Sequence, residues 1–375
     1  MKTIEDAIGD LPGLRRAIEA SRFDAVIAMS PENIRYVSDA PIATHNVIRD
    51  RLGLIVWPSG GDPVYVLCQV EEGFMREESW IQDLRPYKEF IDSPMTLVAD
   101  VLRELGLTNG LVGAETDYLG AMYHAQLMQE VPGLQIEACT DLFAHVRMLK
   151  TPREREILVG GFQGTEKALL ATYSTVNAGE SEQSMGRRLA DAMLRSGADA
   201  IAFNHINAGP NTGYPHMHPS TYRVKKGDLI KADCGAYYRE YLSNVGRTAK
   251  MGPTTDEERS WWKRLREIHW EIIDMLRPGN SGRQLFERTT ELHRQAGIPF
   301  PFGHNGHGIG LQVHEHPLIS PHEDLVYQVG MLSTVETRVR WVGEYGLHME
   351  DLVEITEGSP IVRTGFFDNE EILVV

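Results

Sequence analysis

The chain has 375 residues, of which 42% are hydrophobic and 24% are charged, as in a soluble globular protein with two domains or one large extended domain. Its formal net charge of −16 argues against nucleic acid as a partner, because polyanions are bound by surfaces rich in Lys and Arg. No apolar run approaches the roughly 20 residues that cross a bilayer, so no membrane partner is expected.

The amino terminus and the cysteines predict a cytoplasmic protein. The first residues include acidic side chains and no uninterrupted apolar segment, so we expect no secretory signal. Cys68, Cys139 and Cys234 are an odd, scattered set. Such a set favours a reducing compartment over a disulfide framework.

The first part of the chain alternates helical and strand patterns. Residues 11–22 have the spacing of an amphipathic helix, and residues 23–30 have the pattern of a buried strand. Three further strands are predicted in "RLGLIVWP", "PVYVLCQV" and "GLVGAETD", with a helix in "SPMTLVADVLRELG" between the last two. This alternation predicts an α/β domain over residues 1–148.

The second predicted domain, residues 149–375, has helices followed by strands, twice over. Thr151 suits a helix N-cap and Pro152 the first helical position. The four long helices are predicted over residues 151–176, 181–197, 255–278 and 281–297. The repeated order suggests a divergent internal duplication. For the chain as a whole, the predicted fold class is α/β with α+β character.

Two predicted hairpins in this domain each place a pair of polar residues on facing strands. The first has its turn in the middle of "AYYREY" and puts Asp233 opposite Asn244. The second has its turn at Gly343 and puts Glu336 opposite Glu350. Directly opposed residues have Cβ atoms about 4.5–5.5 Å apart, which suits two oxygens that share a cation.

The stretch "GHNGHGIGLQVHEHP" lies between the hairpins and offers a nitrogen ligand at His307. Each feature also has a purely structural explanation: a hydrogen-bonded Asp, surface histidines, or an exposed pair of glutamates. Two hairpins that carry carboxylates and a histidine cluster in one domain together favour a metal site.

Several motifs resemble those of the pita-bread superfamily of creatinase, prolidase, aminopeptidase P and methionine aminopeptidase. They occur in the family's order from about residue 150 onward: "YPHMHPSTYRVKKGDLI", "DCGAYYREYLSNVGRT", "GHGIGLQVHEHP", "GMLSTVETRV" and "LHMEDLVEITEGS". The resemblance implies a creatinase-like amino-terminal domain, a pita-bread catalytic domain, hydrolysis of C–N bonds and a homodimer.

The resemblance also assigns roles to matching positions. The ligands of two metals fall on Asp233, Asn244, His307, Glu336 and Glu350. In the dinuclear members a water shared by the metals attacks the scissile carbonyl, and the carboxylate at the Glu336 position relays its proton. His216 falls on a histidine that contacts substrate and helps proton transfer. His314 falls on one that stabilises the tetrahedral intermediate.

Three residues depart from the family pattern. Asn244 replaces an aspartate that touches both metals, Thr337 replaces a proline, and His348 stands where many peptidase members have arginine. Strand alternation places His348 on the same face as Glu350, so it is expected to look into the pocket and to bind substrate. An Asp→Asn change introduced on purpose is a second explanation of Asn244.

Asn244 is expected to weaken the site or make it mononuclear. A carboxylate offers two equivalent oxygens to bridge two ions, whereas an amide offers one good oxygen and a competing NH₂ group. His307, Glu336 and Glu350 are then the predicted ligands of the half of the site that binds an ion better. Their donors suit a divalent ion of Mn, Fe, Co or Zn, with one or two ions per chain.

Other candidates lie near these positions. Arg338 shares a strand face with Glu336 and either binds a substrate carboxylate or forms a solvated salt bridge. Tyr214 and His218 flank His216 and are candidates to line the pocket.

Three arginines have candidate roles of a different kind. Arg247 matches a family arginine that orients ligands. Arg49 and Arg51, in a probable loop of the amino domain, are either specificity residues or solvated surface charges.

The leading prediction is a metal-dependent hydrolase of small peptides, of the Xaa-Pro aminopeptidase or dipeptidase kind. Asn244 and His348 favour an alternative, a non-peptidase amidohydrolase of small molecules with one metal or none, as in creatinase. A catalytically silent binding protein is the third possibility. Because only one ligand position has changed, the retained histidines and glutamates argue against it.

Overall fold

The computed structural model describes residues 2–41, 43–48, 50–367 and 369–375, so the predicted role of Arg49 lies outside the described residues. The chain divides into two compact units, Met1–Arg147 and Met148–Val375. The helices and strands of the first part of the chain are α1 Leu11–Ala20, β1 Ala25–Ala28, α2 Pro31–Ser38, β2 Leu54–Pro58, β3 Val64–Cys68, α3 Glu72–Glu78, β4 Asp83–Tyr87, α4 Pro94–Glu104, β5 Leu111–Ala114, α5 Ala121–Glu130, β6 Gln135–Ala138 and α6 Thr140–Met148.

The first unit is built on a six-stranded sheet in the order β4-β3-β2-β1-β5-β6. Strand β2 is antiparallel to both of its neighbours, and the remaining pairs are parallel. Apolar strand residues pack against α4 to form the core of this unit. The predicted solvation of Arg51 is wrong, because its side chain is 19% exposed and donates to Glu89 Oε1 at 2.6 Å.

The second unit carries four long helices and eleven strands in its described part. They are α7 Pro152–Tyr173, α8 Glu182–Arg195, β7 Ala200–Asn204, β8 Asn207–Ala208, β9 Leu229–Tyr238, β10 Tyr241–Leu242, β11 Val245–Lys250, α9 Asp256–Met275, α10 Gly282–Ala296, β12 His307–Gly308, β13 Glu315–Leu318, β14 Leu332–Trp341, β15 Tyr345–Glu354, β16 Ile361–Val362 and β17 Leu373–Val374.

Both halves of this unit begin in the same way. Thr151 and Thr255 start α7 and α9 with a capping box, in which the side chain of the cap accepts a backbone N–H and a glutamate reaches back. Ser181 and Ser281 cap α8 and α10. The predicted order of helices followed by strands, twice over, is confirmed by this arrangement.

The strands of the second unit form one mixed sheet whose central path is β10-β9-β11-β15-β14-β12-β13. Helices α9 and α10 pack on β14 and β15 through buried residues such as Leu265, Leu285, Val335 and Met349. This packing fixes β14 and β15, which carry the predicted glutamate pair.

The register of one predicted hairpin is confirmed and that of the other is wrong. Glu336 pairs with Glu350 across β14 and β15. Asp233, however, pairs with Gly246 and not with Asn244. The β9–β10 turn consists of Arg239 and Glu240, and both residues have positive φ. Two-residue turns of this kind match the twist of the strands in a hairpin. The pairing therefore shifts by two residues, which keeps Asn244 on the same face as Asp233.

Neither a membrane-spanning helix nor a disulfide is found in the described part of the chain. None of its helices is both long and apolar enough to cross a bilayer. Cys68, Cys139 and Cys234 are buried free thiols, as the cysteine pattern predicted.

Candidate active site and metal centre

A cavity of about 670 Å³ lies in the second unit, within the size range of small-ligand sites. Its apolar lining comes from Phe203, Pro301, Phe302 and Val313. Its polar lining comes from the histidine-rich stretch, from the two hairpins, and from two histidines that precede the first hairpin in the chain. The residues are His205, His216, Asp233, Asn244, His304, His314, Glu336, Arg338 and Arg340.

Three strands bring acidic and imidazole groups together at this cavity. Ligand-type atoms of Asp233 on β9, Glu336 on β14 and His348 on β15 lie within 4.8 Å of one another, and all three side chains are buried. Glu350 follows two residues after His348 on the same face of β15, with its Oε2 3.9 Å from His348 Nε2. His348 lies on the predicted face of β15, but it is fully buried and does not line the cavity, so the structure does not bring it into the pocket to bind substrate.

Several buried ligand-type atoms here have no hydrogen-bond partner among the described residues. They are Asp233 Oδ1, Asn244 Oδ1, His307 Nε2, His348 Nε2 and Glu350 Oε2. Most buried polar atoms in folded proteins are hydrogen-bonded, so a cluster of unpartnered oxygens and nitrogens fits a site that binds an ion. Oxygen and imidazole donors together suit a divalent transition metal.

His307 is prepared to act as a ligand through its Nε2 atom. Its Nδ1 donates to the carbonyl of Gly308 at 2.9 Å, which leaves the lone pair of Nε2 facing Glu350 Oε1 at 3.5 Å. Burial, aided by the neighbouring His314, lowers the pKa of His307 to about 3. The imidazole is therefore neutral, as a metal ligand must be.

Glu336 is surrounded by one guanidinium and two imidazole groups. Arg338 Nη1 lies 2.7 Å and His304 Nε2 3.1 Å from Glu336 Oε2, and His348 Nε2 lies 3.3 Å from Oε1. Burial acts to raise the pKa of Glu336, but Arg338, His304 and His348 outweigh it and hold that pKa well below its usual range. Glu336 is therefore ionised, which suits a ligand or a proton acceptor.

Glu350 experiences the opposite environment. Burial, together with the charges of Glu336 and Asp233, raises the pKa of Glu350 well above its usual range. A divalent cation among these carboxylates would offset their repulsion. The donor set and its electrostatics thus fit a divalent metal, with Asp233, Glu336 and His348 as the grouped ligands and His307 and Glu350 beside them.

Asn244 changes how the predicted ligands are used. Its Nδ2 donates to Glu350 Oε1 at 2.8 Å, so one oxygen of Glu350 is engaged by an amide. The sequence predicted that His307, Glu336 and Glu350 bind an ion better than the rest of the ligand set. The three residues whose ligand-type atoms lie together are Asp233, Glu336 and His348, and Asn244 engages Glu350 beside them.

The two histidines predicted to act in catalysis both line the cavity. His216 is 70% exposed, with its Nε2 3.9 Å from Asp233 Oδ2. The ring of His314 lies 4.3 Å from that of His307. Lys231 holds the segment before His216 in place, since its Nζ donates to the carbonyls of Tyr214 and Pro215.

Two weaker predictions are placed outside the cavity lining. Tyr214 is 40% exposed and is not among the lining residues, so the structure does not bring its ring to the site. His218 is likewise not a lining residue, although its ring lies 5.6 Å from that of His205. The solvated salt bridge suggested for Arg338 is wrong, because that side chain is 3% exposed in its pair with Glu336.

Sequence reasoning missed His304 and Arg340, both of which line the cavity. Strand alternation from Glu336 through Arg338 already pointed to Arg340. His304 precedes His307 by three residues in the stretch that was singled out. Arg247 donates to the backbone carbonyl of Glu350, a contact that suits the predicted role of orienting ligands.

Comparison with known proteins places these features in a family. The family model of metallopeptidase family M24 matches residues 162–357, and that of the creatinase/prolidase N-terminal domain matches residues 11–149. The chain is 26% identical over 352 residues to an Xaa-Pro dipeptidase of Pyrococcus furiosus, covering 93% of this chain and 95% of that protein.

Solved structures show the same fold. The dipeptidase PepE from Mycobacterium ulcerans superposes with a TM-score of 0.86 at 25% identity, covering 97% of this chain and 96% of that one. An Xaa-Pro dipeptidase from Bacillus anthracis gives a TM-score of 0.86 at 23% identity, covering 97% and 98%. The predicted creatinase-like domain, pita-bread catalytic domain and hydrolase class are confirmed. The chain belongs to metallopeptidase family M24, whose members are hydrolases with a divalent metal cofactor.

Proposed function

We propose that this protein hydrolyses the amide bond of short Xaa-Pro peptides and does so with one divalent ion of Mn, Fe, Co or Zn. The observation that carries the proposal is the buried group of Asp233, Glu336 and His348 beside a cavity with aromatic walls. Relatives named Xaa-Pro dipeptidase, which align over more than nine-tenths of the chain, support this choice of substrate. When bound, the ion supplies Lewis-acid polarisation of the scissile carbonyl and lowers the pKa of a bound water.

The side chains around the cavity have distinct roles in this proposal. Glu336, kept ionised by Arg338 and His304, accepts the proton of the attacking water. His314 lies against His307 and donates to the carbonyl oxygen as it gains negative charge. His216, which is exposed at the cavity, delivers a proton to the leaving nitrogen. Phe302 and Phe203 offer an apolar surface to the proline ring.

A single ion is favoured over two because of Asn244. Its amide engages an oxygen of Glu350 that the two-metal arrangement would need for coordination. An amide also has one good ligand oxygen where a bridging carboxylate has two.

We also propose a cytoplasmic location, a homodimer and two domains for this protein. The free buried cysteines support a cytoplasmic location. Resemblance to the family supports a homodimer. The division of the chain near residue 147 supports domains over residues 1–148 and 149–375.

A non-peptidase amidohydrolase is the second candidate function. It is favoured by Asn244 and His348, the two departures from the peptidase pattern that lie at the site itself. The substrate would then be a small amide or guanidino compound, and His216 would be the central proton-transfer group.

A panel of substrates distinguishes the two functions. We expect the metal-loaded protein to cleave Ala-Pro and related Xaa-Pro dipeptides, to lose this activity on chelation and to regain it when the metal is restored. Ala-Ala and small cyclic or guanidino amides should be poor substrates. Cleavage of those amides with no Xaa-Pro hydrolysis would overturn the peptidase proposal and support the amidohydrolase.

Replacing Asn244 by aspartate is expected to raise the metal content from about one ion per chain toward two. The new carboxylate offers a second anionic oxygen and no longer donates to Glu350. Elemental analysis after dialysis measures the change, and Asn177→Asp, at an exposed position, is the matched control. A stoichiometry that stays the same in Asn244→Asp would show that Asn244 does not limit the second ion.

A further inference from the structure

Thr337 lies behind the metal centre, one residue along β14 from Glu336. Successive residues of a strand point to opposite faces, so the Thr337 side chain is directed away from the cavity, which it does not line. It is fully buried, and its hydroxyl lies 3.0 Å from Nδ1 of His269 on α9. Proline, which the family pattern has at this position, offers no hydroxyl, so the contact depends on the departure at Thr337.

His269 joins Thr337 to a buried carboxylate on the neighbouring strand. Its Nε2 lies 2.9 Å from Oδ2 of Asp351 on β15, and its own side chain is fully buried. Nε2 donates to the carboxylate, and in the neutral imidazole Nδ1 is then the acceptor of the Thr337 hydroxyl. The ring therefore forms a hydrogen-bonded bridge from β14 to β15, on the face of the sheet that packs against α9.

Asp351 is held in place by three further donors. Arg247 Nη2 and Thr364 Oγ1 each lie 2.6 Å from Oδ1 of Asp351, and Asn369 Nδ2 lies 3.1 Å from Oδ2. With His269 included, each carboxylate oxygen accepts two hydrogen bonds. A fully satisfied buried polar network rigidifies the structure around it, so the β15 end of the bridge is fixed.

The two ends of the bridge adjoin the two glutamates of the site. Thr337 directly follows Glu336, and Asp351 directly follows Glu350. The glutamates are register partners across β14 and β15, with side chains on the opposite face of the sheet. Apolar packing alone allows packed elements to slide by small amounts, whereas a hydrogen bond has a defined length and direction. Since metal ligands must be held within about 0.5 Å of their coordination geometry, a bridge at these positions bears directly on ion binding.

We propose that Thr337 and His269 are positioning residues for the metal centre, because their bridge to Asp351 holds Glu336 at the distance from Glu350 that ion binding requires. Thr337 thereby acts on the ion without contacting it, unlike Asn244, which lies at the site itself. This role rests on the metal centre of the proposed function.

Chelator competition against the Mn²⁺-loaded protein tests this role without any substrate. We expect Thr337→Val, which keeps the shape of the side chain and removes the hydroxyl, to weaken Mn²⁺ binding roughly 10-fold, the lower end of the range for residues that orient metal ligands. Thr337→Ser keeps a hydroxyl and should bind Mn²⁺ nearly as tightly as the wild type. Thr337→Ala removes the same hydroxyl and replaces the valine variant in the test if that variant does not fold.

Thr289→Val is the matched control. Thr289 is equally buried, its hydroxyl donates to the carbonyl of Leu285 within α10, and neither of these residues lines the cavity. Loss of a buried hydroxyl should lower the melting temperature of both valine variants. Only Thr337→Val should lose affinity for Mn²⁺, which a merely structural role of the hydroxyl would not produce.

Kinetics with Ala-Pro separate this role from the proposed function. At saturating Mn²⁺ we expect Thr337→Val to lower kcat and to leave KM near the wild-type value, because Thr337 does not face the cavity. If Mn²⁺ binding follows the expected pattern but no Xaa-Pro peptide is cleaved, the proposed substrate is wrong and the positioning role stands. Wild-type affinity for Mn²⁺ in folded Thr337→Val, an equal loss in Thr289→Val, or no recovery in Thr337→Ser would overturn the role.

Discussion

Glu336→Gln is expected to lower kcat for Xaa-Pro dipeptides roughly 10³-fold or more, because one side chain serves as ligand and as proton acceptor. Glutamine keeps the shape of the side chain but cannot accept the proton of the attacking water. The charge that Arg338 and His304 stabilise is also removed. Steady-state kinetics and metal analysis of the same preparation measure the two effects separately.

Glu344→Gln is the matched control for this experiment. Glu344 is exposed in the turn of the same β14–β15 hairpin, so its replacement should change neither kcat nor metal content. A thermal melt of Glu336→Gln shows whether the fold is retained. Loss of less than 10-fold in kcat from a folded Glu336→Gln protein would show that Glu336 carries neither role.

Arg247→Met is expected to lower the stability of the second unit by about 3–5 kcal/mol, equivalent to a fall in melting temperature of roughly 10 °C. Arg247 is fully buried and lies 2.6 Å from both Glu166 and Asp351. Its removal leaves two buried carboxylates without their cation. The free energy that is lost is therefore mainly the cost of an uncompensated buried charge.

Differential scanning calorimetry measures this change. Arg294→Met removes an arginine from an exposed pair and serves as the control, with a melting temperature close to that of the wild type. Since Arg247 also donates to the carbonyl of Glu350, the variant should bind metal more weakly as well. A melting temperature equal to that of the wild type would contradict the account of this buried network.

The sequence allowed the β14–β15 hairpin to be predicted in full. Glycine at position 343 has a φ of 79°, a conformation that glycine adopts at little cost, and it centres the turn where the glutamates require it. The β9–β10 turn has no glycine that marks its position in the sequence. Arg239 and Glu240 adopt φ values of 50° and 68° without glycine or asparagine, so the register was placed two residues away.

The ligand set was predicted only in part for a similar reason. Residue identity and strand alternation placed Glu336, Glu350 and His348 on one face. The distances that group Asp233 with Glu336 and His348, and the hydrogen bond from Asn244 to Glu350, depend on how three strands pack. That packing sets the side-chain directions across non-adjacent strands. It cannot be inferred from the spacing of residues along the chain.

The most direct test of a mononuclear metal-dependent site is the metal content of active wild-type protein, measured by elemental analysis on the sample assayed with Ala-Pro. We expect about one divalent ion per chain and activity that is lost in proportion as the ion is removed. Full activity in metal-free protein would contradict the metal-dependent mechanism. Two ions per chain would contradict the role assigned to Asn244.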